Sequence, residues 1–307
     1  MTSYLRGNIH CHSTNSDGDS SPAAVAAMYA RGGYDFCAIT DHNHLTDPAE
    51  AASDEHDLVM IPGVEYSAHG SSGERKWIPM HSNGIGLSAN LTISDSRDLH
   101  TVMRHAVQEI RAQDAFAMIN HPNWHWALSA DDIAACEGFH AVEIYNGSAD
   151  CNNIGSPSRP SVEAMWDDLL TRGYRIWGVA ADDAHHFDKP ATPWSFGPFR
   201  GHVSVACDER SADAIVAALK AGAFYASTGV ELEHCACDGS SYRVVAEDVK
   251  PPTDWWTSFI GAGGRELACI QGTDVSYQLR GDEGYVRARV CNSSGFCAWT
   301  QPHFIDD

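Results

Sequence analysis

His10-Cys11-His12, followed by Asp17, is the first group in this 307-residue chain whose residue types and spacing could do chemistry. An apolar run over residues 4–9 leads into it. In a strand, residues two apart point to the same face, so His10 and His12 can aim two imidazoles at one point. Asp17 adds a carboxylate from a loop rich in Ser, Asn and Gly. The chemistry on offer is the binding of a divalent cation. Taken alone, the pattern suits a partly exposed strand end equally well. Its meaning depends on further ligands in similar settings, and the chain supplies them. His42, Glu65, His81, His121, Asp183 and His185 each follow a short apolar run, which makes six histidines and three carboxylates in all.

These runs define the elements that must position the ligands. Strands are predicted over 4–9, 34–40, 58–64, 116–120, 141–145, 175–181 and 202–206, and the polar, Gly-rich stretch 69–77 reads as a hairpin or loop. Helices are predicted over 23–31, 99–113, 130–135, 161–172 and 212–221. The alternation predicts an α/β domain, either a barrel or a doubly wound sheet. In a parallel barrel the C-terminal strand ends share the face where catalytic groups collect. Beyond Val230 the texture changes. Short runs over 242–246, 277–279 and 285–290 sit between Gly, Asp and Pro turns. They predict a small β-rich module over 231–307 behind a domain over 1–230, with Trp255, Trp256 and Trp299 packing the two together.

Nine nitrogen and oxygen ligands exceed the four or five that one zinc takes, so they suit two or three divalent ions. No cysteine is committed as a ligand, which favours Zn, Mn or Fe. Cys11 should face away from the two histidines, into the packing layer. The ten cysteines are scattered without a C-x-x-C pair. The N-terminus has no basic stretch followed by an apolar core. Together these features predict reduced thiols and a cytoplasmic protein. A zinc knot or a disulfide around Cys235, Cys237, Cys291 and Cys297 stays open. No apolar run reaches membrane-spanning length. A net charge of −21 argues against duplex nucleic acid as partner. It is compatible with a small anionic substrate, because cations in a pocket reverse the local potential. Oligomeric state is not legible.

The ordered set is His10-x-His12 with Asp17, Thr40-Asp41-His42, Gly63-Val64-Glu65, His81-Ser82-Asn83-Gly84-Ile85-Gly86, Asn120-His121-Pro122 and Asp183-x-His185. It resembles the PHP (polymerase and histidinol phosphatase) metallohydrolases over residues 7 to about 190. Segments 178–187 and 221–229 resemble the subgroup related to the carbamate-hydrolysing CehA/McbA enzymes. The resemblance implies a distorted seven-stranded (β/α) barrel with a trinuclear centre. One ion would take His10, His12, Glu65 and Asp183. A second would take Glu65, His81 and His121, with Glu65 bridging, and a third Asp17, His42 and His185. Many histidinol phosphatases carry His where this chain has Asp17, which makes that site harder and argues against histidinol phosphate.

Two cations sharing Glu65 could share a water whose pKa falls toward neutrality. Glu65, Asp183 and His185 are then the expected catalytic core. A phosphoesterase acting on a small phosphate ester is the favoured reading. A carbamate, ester or amide hydrolase competes with it, and a non-catalytic metal scaffold is third. His44, His125 and His186 are candidates for the general acid. Arg159, Lys189 and Arg200 are candidates for an anion clamp. Trp124, Trp126 and Trp194 could stack on a leaving group or simply pack. Asp41 reads either as the acceptor for a ligand histidine or as a strand-end cap.

Overall fold

Local chemistry starts the helices where the sequence places them. The computed structural model describes residues 3–52, 57–189, 192, 194–248 and 253–305. Strand β1 (Tyr4–Asn8) is followed by α1 (Pro22–Arg31), where Ser21 accepts from the Ala24 N–H and Pro22 fills the first turn. Next come β2 (Phe36–Cys37), α2 (Pro48–Ala51), β3 (Val59–Met60), β4 (Gly63–Ser72) and β5 (Arg75–Ile85). Helix α3 (Leu99–Arg111) is capped by Asp98 and buries Leu99, Val102, Met103, Ala106, Val107 and Ile110 on one face. The chain continues through β6 (Phe116–Ile119), α4 (Ala130–Ala134), β7 (Ala141–Asn146), α5 (Val162–Thr171), β8 (Trp177–Ala181), β9 (His202–Ala206) and α6 (Ala212–Ala221). Strands then dominate: β10 (Phe224–Ser227), β11 (Leu232–Cys237), β12 (Ser241–Ala246), β13 (Trp255–Gly261), β14 (Arg265–Gln271), β15 (Asp274–Gln278), β16 (Tyr285–Asn292), β17 (Cys297–Thr300) and β18 (His303–Phe304). No helix among the described residues is long and apolar enough to cross a membrane.

The α/β alternation stands, but no sheet closes among the described residues. One sheet runs β14-β13-β16-β17-β10-β9-β1-β2-β3, with β18 on β16. A second runs β4-β5-β6-β7-β8, and a third β11-β12-β15. Between the first two lies a core that includes Ile9, Phe36, Phe116, Met118, Val179, Val203 and Phe224. Two isolated parallel bridges, Cys11↔Ala184 and His42↔Glu65, stitch these sheets together.

Three expectations need correction. The strands expected in a distorted seven-stranded barrel fall into two sheets that do not close among the described residues. The predicted strand over 34–40 shrinks to the two residues of β2, and that over 58–64 breaks at Ile61-Pro62 before β4. Third, β4 and β5 pair antiparallel through a tight turn at Gly73 whose φ is 57°, and β5 pairs antiparallel with β6. Glu65 and His81 therefore sit within a hairpin rather than at the ends of parallel strands. Ser67 pairs with His81, and Glu65 is two residues from Ser67, so both ligand candidates share one face.

After Val230 the described residues form strands β11 to β18 and no α-helix. Its strands also extend the sheet of the N-terminal region, since β10 pairs with β9 on one side and β17 on the other. Cys291 and Cys297 are joined by a disulfide, so the expectation of reduced thiols fails for this pair. Trp299 is buried and stacks on Tyr145 of β7, as expected for a packing residue, whereas Trp256 is partly exposed. The strongest tie runs from β16 to α5. Arg287 is fully buried and donates from Nε and Nη2 to Asp167 at 2.8 and 2.7 Å and from Nη2 to Glu163 at 2.8 Å, with its guanidinium over the Trp166 ring. The Tyr285 hydroxyl donates to the same Asp167 at 2.7 Å.

Breaking a buried pair leaves an uncompensated charge. Asp167→Ala is expected to cost about 3–5 kcal/mol in urea unfolding. Asp274→Ala, which removes the exposed partner of Arg243, should cost less than about 1 kcal/mol. Equal losses would show that the Arg287 cluster does not anchor the C-terminal strands.

Candidate metal centre

The seam between the two sheets is where the ligand candidates meet. His10 and His12 follow β1, Asp17 the loop after it, and His42 the short β2. Glu65 and His81 come from the β4–β5 hairpin, His121 follows β6, and Asp183 and His185 follow β8. Their donor atoms fall into four overlapping groups, each with atoms within 4.8 Å of one another: His12, Asp17, His42 and His185; His10, His121 and Asp183; His10, His12 and Glu65; and His42, Glu65 and His81. All nine positions singled out in the sequence are therefore brought together, although two arrive by a hairpin rather than by strand ends.

Glu65 is the hub. Its Oε1 lies 3.3 Å from His10 Nε2, 3.1 Å from His81 Nδ1 and 3.3 Å from His121 Nε2. Its Oε2 lies 3.3 Å from His12 Nε2 and 2.9 Å from His42 Nδ1. Asp183 Oδ1 is 3.2 Å from both His10 Nε2 and His12 Nε2. The exposed Asp17 is 3.4 Å from His185 Nε2 and 3.6 Å from His42 Nε2.

Two groups that the sequence reading missed hold this array in place. Glu143, fully buried on β7, accepts from His10 Nδ1 at 2.8 Å and from the His121 backbone N–H at 2.7 Å. The first contact turns His10 Nε2 toward the centre. The second secures His121 at a φ of 24°; Asp183, at 51°, is likewise in the left-handed region. Asn146 donates to Glu143 at 2.9 Å and to Asp183 Oδ2 at 3.1 Å. The available signal was an acid in the middle of the apolar run 141–145. Asn120, within a recognised motif, donates to Glu65 Oε1 at 2.8 Å.

Other candidates sort themselves by contact. Asp41 is not the partner of a ligand histidine. It accepts from the Ser13 N–H and hydroxyl, the Ser16 hydroxyl and the Thr46 hydroxyl, so it organises the loop that carries Asp17. Asp182 faces away, accepting from Tyr29 and from the backbone of Phe199, Arg200 and Gly201. That leaves Asp183 as the acid in the centre. Arg200 donates to the Gly147 and Thr192 carbonyls rather than facing an anion, and Lys189 stands 3.8 Å from Asp19. Trp194 is exposed. Of the three histidines weighed as general acid, only His186 lines the cleft of roughly 350 Å³ at the cluster, together with Trp124, Ser148 and Asp150.

The electrostatics fit a cation. Burial works to lower the His10 pKa, but Asp183, Glu143 and Glu65 raise it well above the usual value. His42 is pushed up to about 10 by Asp17 and Glu65, which overcome its own burial. His12 falls to about 4 through burial and the neighbouring His185. Against the cost of burial, the surrounding imidazoles hold Glu65 and Asp183 well below the ordinary carboxylate range. His10 Nε2, His12 Nε2 and His81 Nδ1 are buried and, despite nearby carboxylate oxygens, make no aligned hydrogen bond. Converging imidazole nitrogens without hydrogen bonds, beside ionised carboxylates, fit a divalent cation as the occupant. Protons held on His10 and His42 would have to leave on binding, so affinity should rise with pH.

No family model matches the chain. It is 38% identical over 64 residues to a 5'-3' exoribonuclease of Haemophilus influenzae, a match spanning 20% of this chain and 23% of that protein. A two-domain protein containing a predicted PHP-like metal-dependent phosphoesterase from Bacteroides vulgatus superposes with a TM-score of 0.53 at 16% identity. That superposition covers 99% of this chain and 88% of the other, so the shared fold includes the C-terminal strands. An amidohydrolase from Chromobacterium violaceum gives a TM-score of 0.41 at 17% identity, over 63% of this chain and 94% of that one.

Loss of a residue that orients a metal ligand typically weakens metal affinity roughly 10- to 100-fold. Glu143→Gln should do this for Zn or Mn, measured by competition with a chromophoric chelator. In the wild type, adding either ion to chelator-treated protein should raise the Tm. Unchanged affinity in Glu143→Gln would remove Glu143 from the centre.

Proposed function

We propose that the protein is a PHP-type, metal-dependent hydrolase that cleaves the P–O bond of a phosphate ester. The observation that carries this reading is the convergence of six imidazoles and three carboxylates on one cleft, with Glu65 shared among five of the histidines. The shared fold with a PHP-like protein and the local identity to an exoribonuclease both favour phosphorus over carbon as the centre attacked. Two or three divalent ions, when bound, would supply an activated water and positive charge for a phosphate.

The chain's own residues do the rest. Glu65 and Asp183 compensate positive charge at the floor of the cleft, and Glu143 and Asn146 fix the directions of His10 and Asp183. Asp17, His42 and His185 make the exposed corner, where the phosphate would enter. His186 stands at the rim, in position to pass a proton to the departing oxygen. Trp124 packs its ring 5.3 Å from both His81 and His121 and shields that side of the cleft from water.

Metal-replete protein should hydrolyse p-nitrophenyl phosphate and lose that activity on chelation. Asp183→Ala and Glu65→Gln should each lower kcat by more than roughly 100-fold. The resemblance to carbamate-hydrolysing enzymes makes naphthyl carbamate the control substrate. Turnover of the carbamate alone would sink the phosphoesterase reading, and chelator-resistant activity would sink the metal.

A further inference from the structure

A second groove, of about 540 Å³, adjoins the metal cleft, and Trp124 lines both. Its composition departs from that of the whole molecule. The chain carries a net charge of −21, yet no carboxylate among the described residues lines this groove. Instead Arg75, Lys76, Trp77, Trp126 and Arg159 join Trp124 there. Arg75 is spent on Asp132. Lys76 and Arg159 form no ion pair among the described residues. Lys76 donates to the Gly73 carbonyl, and the Arg159 guanidinium lies 5.8 Å from the Trp126 ring centroid.

The groove is built rather than incidental. Trp77 is 78% exposed on the hairpin, with its backbone held at a φ of 55°. His125 and Trp126 are consecutive residues at φ values of 52° and 54°, in a segment that starts at the ligand candidate His121. Asn123 donates to the Asn152 and Pro160 carbonyls, which fastens this segment to the loop carrying Arg159. An exposed indole at Trp77, half-buried ones at Trp124 and Trp126, and two cations outside any ion pair form the arrangement that stacks bases and tracks a single-stranded backbone.

We propose that this groove binds one flank of a single-stranded oligonucleotide whose scissile phosphate lies in the metal cleft. The inference rests on the phosphoesterase reading for that phosphate, and on the groove alone for the strand. Bases stack on Trp77 and Trp126, and Lys76 and Arg159 each meet a backbone phosphate. A duplex does not fit, because its bases are already stacked and its charge density meets an acidic surface beyond the groove.

The test is fluorescence anisotropy of labelled hexathymidylate with the full, metal-replete chain, by rapid mixing in the cold, over a range of salt. The wild type should bind it, and a duplex of equal length much more weakly. Trp126→Ala should weaken binding by roughly tenfold or more. Arg159→Ala should flatten the slope of log K against log salt by roughly 0.7, the contribution of one phosphate on a single strand, and Arg159→Lys should restore it. Circular dichroism and Tm check that each variant is folded. Failure of the wild type to bind, binding indifferent to both variants, or displacement by thymidine monophosphate as effective as by the hexamer overturns the inference. Hydrolysis of p-nitrophenyl phosphate without oligonucleotide binding removes the groove and keeps the phosphoesterase. Variant-sensitive binding with no phosphatase activity does the reverse.

Discussion

A carboxylate buried without compensation is too costly to keep ionised, and Glu65 is about as buried as a carboxylate can be. Five imidazoles stand within 3.3 Å of its oxygens, and Asn120 donates to it. The surrounding architecture serves this condition. The β4–β5 hairpin carries Glu65 and His81 on one face, and β1 and β6 deliver His10, His12 and His121 from two different sheets. The bridges Cys11↔Ala184 and His42↔Glu65 lie beside the ligands themselves. The sheets are therefore joined where the charges need one another.

Compensation is layered outward. Glu143 is as buried as Glu65 and satisfies a ring N–H, a backbone N–H and an Asn amide, so it directs the ligands without facing the cleft. Asp41 and Asp182 collect loop hydroxyls and backbone donors. Each tethers a segment, the first holding the loop of Asp17 and the second the approach to Gly201. Neighbouring acids thus divide between the centre and its supports, and hydrogen-bond supply decides which is which. Asp182 meets four donors, whereas Asp183 meets imidazoles.

The parts of this arrangement that depend on local rules were legible in the sequence. Period-two spacing placed His10 and His12 on one face, and Ser21-Pro22 and the apolar stripe of α3 marked their helices. The nine ligand candidates could be named because each follows an apolar run. Their geometry was less legible. A hairpin turn at Gly73 reverses the chain, so Glu65 and His81 meet across antiparallel strands that period alone cannot tell from parallel ones. Glu143 was missed because an acid inside an apolar strand is explained only by what it faces, and its partners come from residues 10 and 121. Arg287 was hidden for the same reason, since its partners lie on α5. The disulfide between Cys291 and Cys297 depends on β16 and β17 pairing side by side, a register that the spacing left open.

The first sheet, being open, has two ends, and their character bears on how the molecule behaves in a crowd. A free sheet edge offers unpaired backbone groups to any other chain. At one end β3 contributes only two residues, too short a template for another strand to join. At the other, β14 starts with exposed Arg265 and Glu266, charges that discourage docking. The strands between β10 and β14 thus do more than enlarge the fold. They carry the exposed margin of the sheet away from β9 and β10 to a strand that begins with two charges.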